Sequence, residues 1–544
     1  MVVSRFFLFS KDVLKLDIPI PAHYAVPRLI FKTQGPVCDI ITDRFPHAGQ
    51  RRISVNKYAD NPSMMMDLYE MTMSNGYFLD PDQQGTKVAF DVFYRRNPDG
   101  GGFAIFAGLE QIVDYLTNMH FDEADIAYLR SLGLYDSRFL DWLSTFHFTG
   151  DVYAFPEGTI IYPNEPVITV VADIVEAQLV ETEILTQFNH QSLIATKAQR
   201  VVRAAGGRIV SDFGARRAHN NDAAVLGARA CMIGGVNGSA TVLAGQRFSI
   251  PVSGTMAHSW VMYYKDELLA FRKFAERYPD NCILLVDTYD VLGSGVPNAI
   301  RVFEEMRRSG IRSRNFGIRI DSGDLAYLTR KSRKLLDDAG FPEAKIIISN
   351  SLDEYTITSI LSQGGCVDGF GVGERMITAR SEPVFGGVYK LCAVGKNGVF
   401  DPRIKISDTV EKTTNPGLKD VYRVYDERGM ALADLITMAG ETVNLDEEYP
   451  FVDPMRPWKK KSFINCTARK LQKCVIRSGI RTQEPEEIRT IADRVRFQLK
   501  TEIWQEEQRF SNPHIHYLDM SPAYYQMKMQ MLNEQGGKNH DRQL

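Results

Sequence analysis

Residues 316–350 read FGIRIDSGDLAYLTRKSRKLLDDAGFPEAKIIISN, and this stretch decides the fold. It begins with a short apolar run that leads into the polar tip RIDSGD (319–324). The next segment has apolar residues at helical spacing and stops at Gly340, a residue that commonly ends helices. The β-branched run KIIIS (345–349) follows. A strand, a helix and a second strand in this order predict two parallel strands joined by a crossover helix.

The same alternation continues on both sides of this stretch, from about residue 205 to residue 375. One helical segment, PNAIRVFEEMRRSG (297–310), has Pro at its start and Gly after its end, the usual asymmetry of helix termini. Buried strands that alternate with helices predict a parallel sheet, and the number of units favours a barrel over an open sheet. The other strand-like runs are RIVSDFGARR (208–217), FSIPVSGTMAHS (248–259), CILLVDTYD (282–290) and VDGFGVGE (367–374).

Polar residues gather where the predicted strands end. Active sites of α/β barrels are built at the carboxyl ends of the strands, so we expect these distant loops to surround one pocket. The polar tips are Asp212–Arg216, Thr255–His258, Asp287–Asp290, Arg319–Asp324, Ser349–Ser351 and Gly371–Glu374.

The remainder of the chain predicts further parts around this barrel. Residues 1–60 have no sustained period and form an N-terminal extension, a candidate mobile segment. Residues 61–200 are predicted to form an N-terminal α/β domain, and residues 201–384 the irregular α/β barrel with the active site. Residues 385–544 are predicted to return to the α/β domain and to end in a tail.

Composition indicates an ordinary globular protein. The 544 residues are 44% hydrophobic and 24% charged, and the net charge of −3 gives no sign of a nucleic-acid partner. No apolar run approaches the length of a membrane span. The 7 cysteines include no Cys-x-x-Cys pair, which argues against a disulfide framework or a zinc knuckle and fits a cytoplasmic protein.

Several groups at the strand tips suit a phosphorylated ligand. Gly371 and Gly373 leave backbone N–H groups bare for an anion, although a tight turn explains these glycines equally well. Arg216 and Arg319 can grip phosphate or carboxylate, with a solvated salt bridge as the ordinary alternative. Asp321 can hold ribose hydroxyls or bind Mg²⁺ through water.

The neighbouring acids and aromatic residues have ambiguous roles. Asp324 stands directly before a helix, and capping that helix explains it. Asp287 and Asp290 form a similar pair whose roles the sequence leaves open. Phe213 and Tyr69 can hold a flat ring between two aromatic faces, although either one alone is ordinarily a core residue.

Together these tips resemble one family, nicotinate phosphoribosyltransferase. The stretches that carry the resemblance follow the family's order from about residue 62 to residue 525. They are DLYEMTM (67–73), FYRRNPDGGGFAIFAGLE (93–110), DFGARRAH (212–219), SGTMAHSW (253–260), VDTYDVLGSGVPNAI (286–300), RIDSGDL (319–325), GFGVGERMIT (369–378), GGVYKL (386–391) and RFSNPHIHYLDMS (509–521).

The resemblance implies an irregular α/β barrel of the type II phosphoribosyltransferase kind, with an additional α/β domain built from N- and C-terminal segments. It implies transfer of phosphoribosyl from phosphoribosyl pyrophosphate to nicotinate, which forms nicotinate mononucleotide and pyrophosphate in NAD biosynthesis. It further implies ATP hydrolysis coupled through a phosphorylated histidine, a requirement for Mg²⁺, and a homodimer whose subunits share each active site.

The resemblance also assigns roles at the ring end of the site. His258 in GTMAH would take the phosphoryl group, and Thr255 would adjoin the nicotinate pocket. Phe213 would stack on one face of the pyridine ring. Tyr69, reaching in from the second subunit, would cover the other face.

The remaining roles concern the anionic parts of the ligands. Arg216 and Arg319 would meet the anionic groups of substrate and product. Asp321 would face the ribose, and Gly371 and Gly373 would bind the 5′-phosphate through their backbone.

Other functions are weighed by the residues they require. A nicotinamide phosphoribosyltransferase would place an acid near the ring, whereas NGSATVLAG (237–245) offers Ser239 and Ala240 in that region. A non-catalytic mononucleotide-binding relative would lose residues such as His258 or Asp321, and both are present. An unrelated aldolase-like barrel would carry a Schiff-base lysine at a strand tip, and the tips carry none.

Overall fold

A computed structural model describes residues 61–83, 85–311, 313–396, 398–407, 413–454 and 456–540. The extension predicted for residues 1–60 lies outside the described residues. The helices in the described ranges include none that is long and apolar enough to cross a bilayer.

The α-helices are α1 (Leu68–Leu79), α2 (Leu109–Asn118), α3 (Glu123–Ser131), α4 (Ser137–Leu143), α5 (Ile174–Gln178), α6 (Glu181–Ala205), α7 (Asn221–Ile233), α8 (Val242–Phe248), α9 (His258–Tyr263), α10 (Glu267–Arg277), α11 (Val296–Arg308), α12 (Leu325–Asp338), α13 (Glu354–Ser362), α14 (Glu374–Ile377), α15 (Ile488–Thr501) and α16 (Pro522–His540). The strands are β1 (Lys87–Tyr94), β2 (Ala104–Ile105), β3 (Asp151–Ala154), β4 (Ile160–Ile161), β5 (Ile168–Asp173), β6 (Ile209–Asp212), β7 (Gly238–Ser239), β8 (Cys282–Leu285), β9 (Phe316–Ile320), β10 (Lys345–Ser349), β11 (Gly369–Val372), β12 (Gly387–Lys396), β13 (Val399–Pro402), β14 (Lys419–Tyr425), β15 (Ala431–Met438), β16 (Tyr449–Val452), β17 (Lys460–Phe463), β18 (Thr467–Lys470), β19 (Lys473–Arg477), β20 (Ile480–Arg481) and β21 (Leu518–Met520).

The stretch 316–350 forms the strand–helix–strand unit that its pattern predicts. Strands β9 and β10 pair in parallel, with Ile346 opposite Ile318. Helix α12 joins them and begins where the Asp324 carboxylate accepts the backbone N–H of Tyr327 at 3.0 Å. The helix ends before Gly340, whose φ of +79° lies in the left-handed region that favours glycine.

Six parallel strands form the sheet that carries the candidate site, in the order β7-β6-β11-β10-β9-β8. Its register aligns the tips, because Ser349 lies opposite Gly371 and Gly371 lies opposite Ser211. The carboxyl ends of these strands therefore meet at one edge of the sheet, as the spacing of the polar tips predicts.

An irregular segment between α8 and α9 spans the gap between the two edge strands, β7 and β8. On the β7 side, Ser253 donates its backbone N–H to the carbonyl of Ser239 at 3.0 Å. On the β8 side, the Thr255 hydroxyl donates to the carbonyl of Ile283. The predicted irregular barrel therefore takes the form of a curled half-barrel, and the α/β fold class is confirmed.

A second sheet combines segments from both ends of the described chain. Its strand order is β13-β12-β1-β5-β3-β19-β20, so strands before residue 174 pair with strands after residue 386. A third sheet, in the order β17-β16-β21-β15-β14-β18, consists of C-terminal strands alone. The domain boundaries at residues 200 and 384 stay predictions.

Candidate active site

The parallel sheet encloses a cavity of about 250 Å³. Its lining includes Phe213, Thr255, Arg319 and Gly371, four of the residues that the sequence predicts for the site. The remaining wall combines aliphatic and aromatic side chains of the sheet with serine, glycine, asparagine and lysine residues. The other lining residues are Ile209, Ser211, Ser253, Gly254, Asn281, Ile283, Asn315, Lys345, Ile347, Gly369 and Phe370.

His258 is the first residue of α9, and its side chain remains 39% exposed. Its Nε2 lies 3.2 Å from Oδ1 of Asp287, a carboxylate that is only 1% exposed. The other oxygen of Asp287 accepts the backbone N–H of Asp321 at 3.0 Å and the hydroxyl of Ser322 at 2.6 Å. One buried carboxylate therefore orients the imidazole and connects it to the Ile-Asp-Ser turn.

Arg319 is fixed from several directions at the same strand ends. Its Nε donates to the Ser349 hydroxyl at 2.9 Å, and its Nη2 lies 3.1 Å from Oδ1 of Asp321. The Ser349 hydroxyl in turn donates to this same carboxylate oxygen. The guanidinium carbon lies 5.4 Å from the centre of the Phe213 ring, within the range of a cation–π contact.

Phe213 depends on a glycine of the neighbouring strand. A Cβ atom on Gly371 would lie 2.4 Å from two atoms of the Phe213 ring, so only glycine leaves room for the ring in this position. Gly373 is the residue before α14, and a Cβ atom there would lie 3.1 Å from the carbonyl oxygen of Phe213. The contacts of both glycines involve Phe213, and their binding of a phosphate stays a prediction.

Comparison with known proteins identifies the family. Family models match successive parts of the chain: the nicotinate phosphoribosyltransferase N-terminal domain over residues 64–189, the nicotinate phosphoribosyltransferase family over 209–429, and its C-terminal domain over 418–528. The nicotinate phosphoribosyltransferase of Bacillus subtilis (strain 168) is 43% identical over 476 residues, covering 87% of this chain and 96% of the relative. The chain belongs to the nicotinate phosphoribosyltransferase family.

Similarity within this family extends to animals. The nicotinate phosphoribosyltransferase of Caenorhabditis elegans is 30% identical over 530 residues, covering 85% of this chain and 92% of the relative. The crystal structure of human nicotinic acid phosphoribosyltransferase matches with a TM-score of 0.75 at 26% identity, covering 86% of this chain and 99% of that chain. The predicted family and the prediction of an enzyme are confirmed, and the nicotinamide alternative is not favoured.

The structure places a carboxylate next to Ser239, in the region where a nicotinamide phosphoribosyltransferase would carry an acid near the ring. The buried Ser239 hydroxyl donates to Oδ2 of Asp212 at 2.7 Å, and Gly214 donates its N–H to Oδ1 at 2.8 Å. Burial raises the pKa of Asp212. This acid is distant from Ser239 in the chain, and neither side chain lines the cavity.

Tyr69 lies outside the cavity of its own chain and is 42% exposed on α1. Burial, and then the Glu181 carboxylate with which Tyr69 shares a hydrogen bond, raise the pKa of the phenol. Nζ of Lys390 lies 3.8 Å from the same carboxylate. The pKa of Lys390 is lowered, first by burial and also by the positive charges of Arg95 and Lys405. Three carboxylates, those of Glu181, Glu70 and Asp67, act on the Tyr69 phenol, and Glu181 also faces the cations Lys390, Arg95 and Lys405, a cluster that the sequence did not single out.

The other predicted residues occupy varied positions. Arg216 is exposed on the 3-10 turn Ala215–Arg217 that follows Phe213. Thr255 lines the cavity, but its hydroxyl proton is used by the carbonyl of Ile283. Ser349, which bonds both Arg319 and Asp321, was named in a polar tip and was given no role.

Proposed function

We propose that this nicotinate phosphoribosyltransferase transfers phosphoribosyl from phosphoribosyl pyrophosphate to nicotinate, forming nicotinate mononucleotide and pyrophosphate, with ATP hydrolysis coupled to the transfer. The observation that carries the proposal is the Asp287 carboxylate, which contacts the His258 imidazole and the backbone of Asp321, a residue whose own carboxylate bonds Arg319 of the cavity lining. A phosphoryl-accepting group and a ribose-facing group are thereby joined by one buried residue.

The ring of nicotinate would occupy the cavity. Phe213 offers an aromatic face, and such stacking contributes about 0.5–1.5 kcal/mol beyond the burial of area. Arg319 lies at the same end of the cavity and carries a planar fork of donors that suits a carboxylate. Nicotinamide lacks the negative charge that Arg319 would neutralise, which supports nicotinate as the substrate.

Displacement of pyrophosphate would develop positive charge on the ribose ring. The Asp321 carboxylate would stabilise this charge electrostatically, because Arg319 and Ser349 hold it in place before the reaction. The nicotinate nitrogen would form the new bond to C1 of ribose as the bond to the pyrophosphate oxygen breaks.

Mg²⁺ would be held mainly by phosphate oxygens of the substrate, together with Asp321. Within the described ranges, no group of at least 3 His, Cys, Asp or Glu side chains is arranged to hold a metal. This donor set fits a cation that usually keeps several waters and binds through one or two carboxylates plus substrate phosphates. When bound, Mg²⁺ would neutralise charge on the leaving pyrophosphate.

ATP coupling would pass through the free nitrogen of His258. Nε2 faces the Asp287 carboxylate, so the tautomer with its hydrogen on Nε2 would donate to that carboxylate and leave the lone pair on Nδ1. Nδ1 would attack the γ-phosphorus of ATP, the bond to the bridging oxygen would break, and ADP would leave. Water would later cleave the nitrogen–phosphorus bond and release phosphate, so the net change is hydrolysis of one ATP.

A homodimer with shared sites would use the surface around Tyr69. This ring is exposed on its own subunit, next to the cluster of Arg95, Lys390 and Lys405. We propose that Tyr69 covers the pyridine ring in the second subunit and that these cations meet its pyrophosphate.

The free thiols of the described cysteines support a reducing compartment, and we propose the cytoplasm.

Product analysis tests the proposed function directly. The protein is incubated with nicotinate, phosphoribosyl pyrophosphate and Mg²⁺, with and without ATP, and mononucleotide and pyrophosphate are quantified. We expect nicotinate mononucleotide in both reactions and faster or more complete formation with ATP. Equal or better turnover of nicotinamide in a parallel reaction would overturn the proposed substrate.

A further inference from the structure

A buried ammonium group connects three separate segments of the chain. Lys197 lies in α6, and its side chain is only 3% exposed. Its Nζ lies 3.0 Å from Oδ2 of Asp99, 2.9 Å from Oε1 of Glu354 and 2.8 Å from Oγ of Ser381. These partners belong to the loop after β1, to the first turn of α13, and to the loop after α14.

Each of these three segments adjoins groups that would bind the phosphoribosyl donor. Glu354 follows the tip of β10, where the Ser349 hydroxyl donates to the carboxylate of Asp321, the residue that would face the ribose. Ser381 follows α14, the helix that begins after Gly373, whose backbone would bind the 5′-phosphate. The third segment is the loop of Asp99, which also carries Arg95 and Arg96.

The charges around Lys197 are balanced within the protein. Nε of Arg200 lies 2.7 Å from Oε1 of the fully buried Glu354. Glu382 accepts the backbone N–H of Asp99 at 2.7 Å and pairs with Arg96 at 2.7 Å. Two cations and two carboxylates thus share the interior, and the loop of Asp99 is held by a third carboxylate.

Stability alone is a weak reason for burying these ions. The cost of removing charges from water often equals or exceeds their attraction, and apolar replacements of buried ion pairs are frequently as stable. Such a network holds its members in fixed positions, because each ion accepts its partners in only a narrow range of geometry.

We propose that Lys197 is a positioning residue that fixes the segments facing the phosphoribosyl donor. This inference rests on the proposed function. The pyridine end would depend on Phe213, Thr255 and Arg319, and none of these three side chains bonds Lys197, Asp99, Glu354 or Ser381. Loss of the ammonium group should therefore lower the affinity for phosphoribosyl pyrophosphate and leave the affinity for nicotinate unchanged.

The test compares Lys197→Met and Lys197→Arg with the wild-type protein. We expect Lys197→Met to raise KM for phosphoribosyl pyrophosphate about 10-fold or more, because small misplacements of binding groups are costly. KM for nicotinate stays within about twofold, and Lys197→Arg recovers part of the loss because it restores a cation. Calorimetric titration of phosphoribosyl pyrophosphate with Mg²⁺ reads the same donor affinity without turnover.

Lys419→Met is the matched control. Lys419 is also a buried lysine, 1% exposed, and it pairs with Asp91 in the second sheet. We expect this variant to lower Tm and to change both KM values equally or not at all. Ser381→Ala removes one contact of the ammonium group without creating a buried charge, so it gives a smaller shift in donor affinity if Lys197→Met fails to fold.

Unchanged donor affinity in Lys197→Met, or in Ser381→Ala where that variant alone folds, would overturn the positioning role. Equal losses for both substrates would overturn it too. Failure of the wild-type protein to form mononucleotide would count against the proposed function instead, because the titration still reports donor binding.

Discussion

His258 contacts Asp287 through Nε2 and is partly exposed, so its removal should affect coupling more than folding. We predict that His258→Ala keeps the Tm of the wild-type protein within a few degrees, because the side chain is 39% exposed. ATP hydrolysis that depends on both substrates is lost, and slow synthesis remains at high donor concentration. The measurement is mononucleotide and ADP formed over time, with and without ATP. Unchanged stimulation by ATP would remove His258 from the mechanism.

Phe213 is expected to act on nicotinate alone. Phe213→Ala removes the aromatic face from the cavity and should raise KM for nicotinate about 10-fold, the equivalent of about 1.4 kcal/mol. KM for phosphoribosyl pyrophosphate should change far less. Phe213→Leu serves as the comparison, because it keeps an apolar side chain but no π-face. Equal losses for both substrates would argue against stacking.

His190 provides a pH-dependent test of the packing behind the site. This partly buried side chain of α6 has its pKa lowered to about 4, first by burial and then by the charge of His219. An unfolded histidine titrates near 6.5, so the fold favours the neutral ring. Its contribution to stability is complete above about pH 6.5 and is lost as pH falls toward 4. In urea unfolding between pH 4 and pH 7, His190→Gln should flatten this dependence by about 3 kcal/mol.

The two acids of VDTYD show what the sequence could not resolve at the level of residues. Asp287 contacts His258, whereas Asp290 accepts the backbone N–H groups of Leu292 and Gly293 and begins the turn before α11. Both acids follow the same strand and have the same chemistry. Their roles differ because only Asp287 reaches His258 and the Ile-Asp-Ser turn, contacts between segments that are separate in the sequence.

At the scale of elements, local signals were sufficient where a helix had both a cap and a stop. Helix α12 follows Asp324 and ends before Gly340, and strands β9 and β10 occur where β-branched runs predict them. The segment between α8 and α9 lacks such signals. It connects the edge strands through the parallel bridge between Val252 and Ser239 and through the Thr255 hydroxyl, contacts that depend on the completed half-barrel.

Strand β11 makes a prediction that separates packing from substrate binding. Gly371→Ala would place a Cβ atom 2.4 Å from the Phe213 ring and should displace it. We expect KM for nicotinate to rise as it does in Phe213→Ala, with about 1–3 kcal/mol lost from the free energy of unfolding. In the control Gly369→Ala, the new atom meets the end of the flexible Ile347 side chain at 2.8 Å. A rise in KM for nicotinate of the same size in the control would show that Phe213 is not the cause.

At the scale of the whole molecule, the chain joins its two ends around the half-barrel. Strand β1 lies between β12 and β5, so the second sheet requires segments that are about 300 residues apart, such as Lys87 and Gly395. The resemblance implied this arrangement, whereas local periodicity gave no means of pairing those strands. The network around Lys197 was likewise hidden, because its members come from four separate segments.

The shared site of the proposed dimer makes the last prediction. Asp321→Asn disables the part of a site that a subunit forms from its own residues, here called the body of the site. Tyr69→Ala disables the surface that would cover the site of the other subunit. Neither homodimer has an intact site, but a mixed dimer has one, formed by the body of the Tyr69→Ala subunit and the Tyr69 surface of the Asp321→Asn subunit. After random exchange at equal amounts, about a quarter of all sites become intact.

The experiment mixes the two purified variants, allows subunits to exchange, and follows mononucleotide formation at nicotinate concentrations well below KM. We expect activity to rise above the sum of the separate variants toward about a quarter of the wild-type value. Two wild-type preparations mixed in the same way control for effects of exchange itself. If Tyr69 served its own subunit, every site of the mixed dimer would carry one defect, and activity would not exceed that sum.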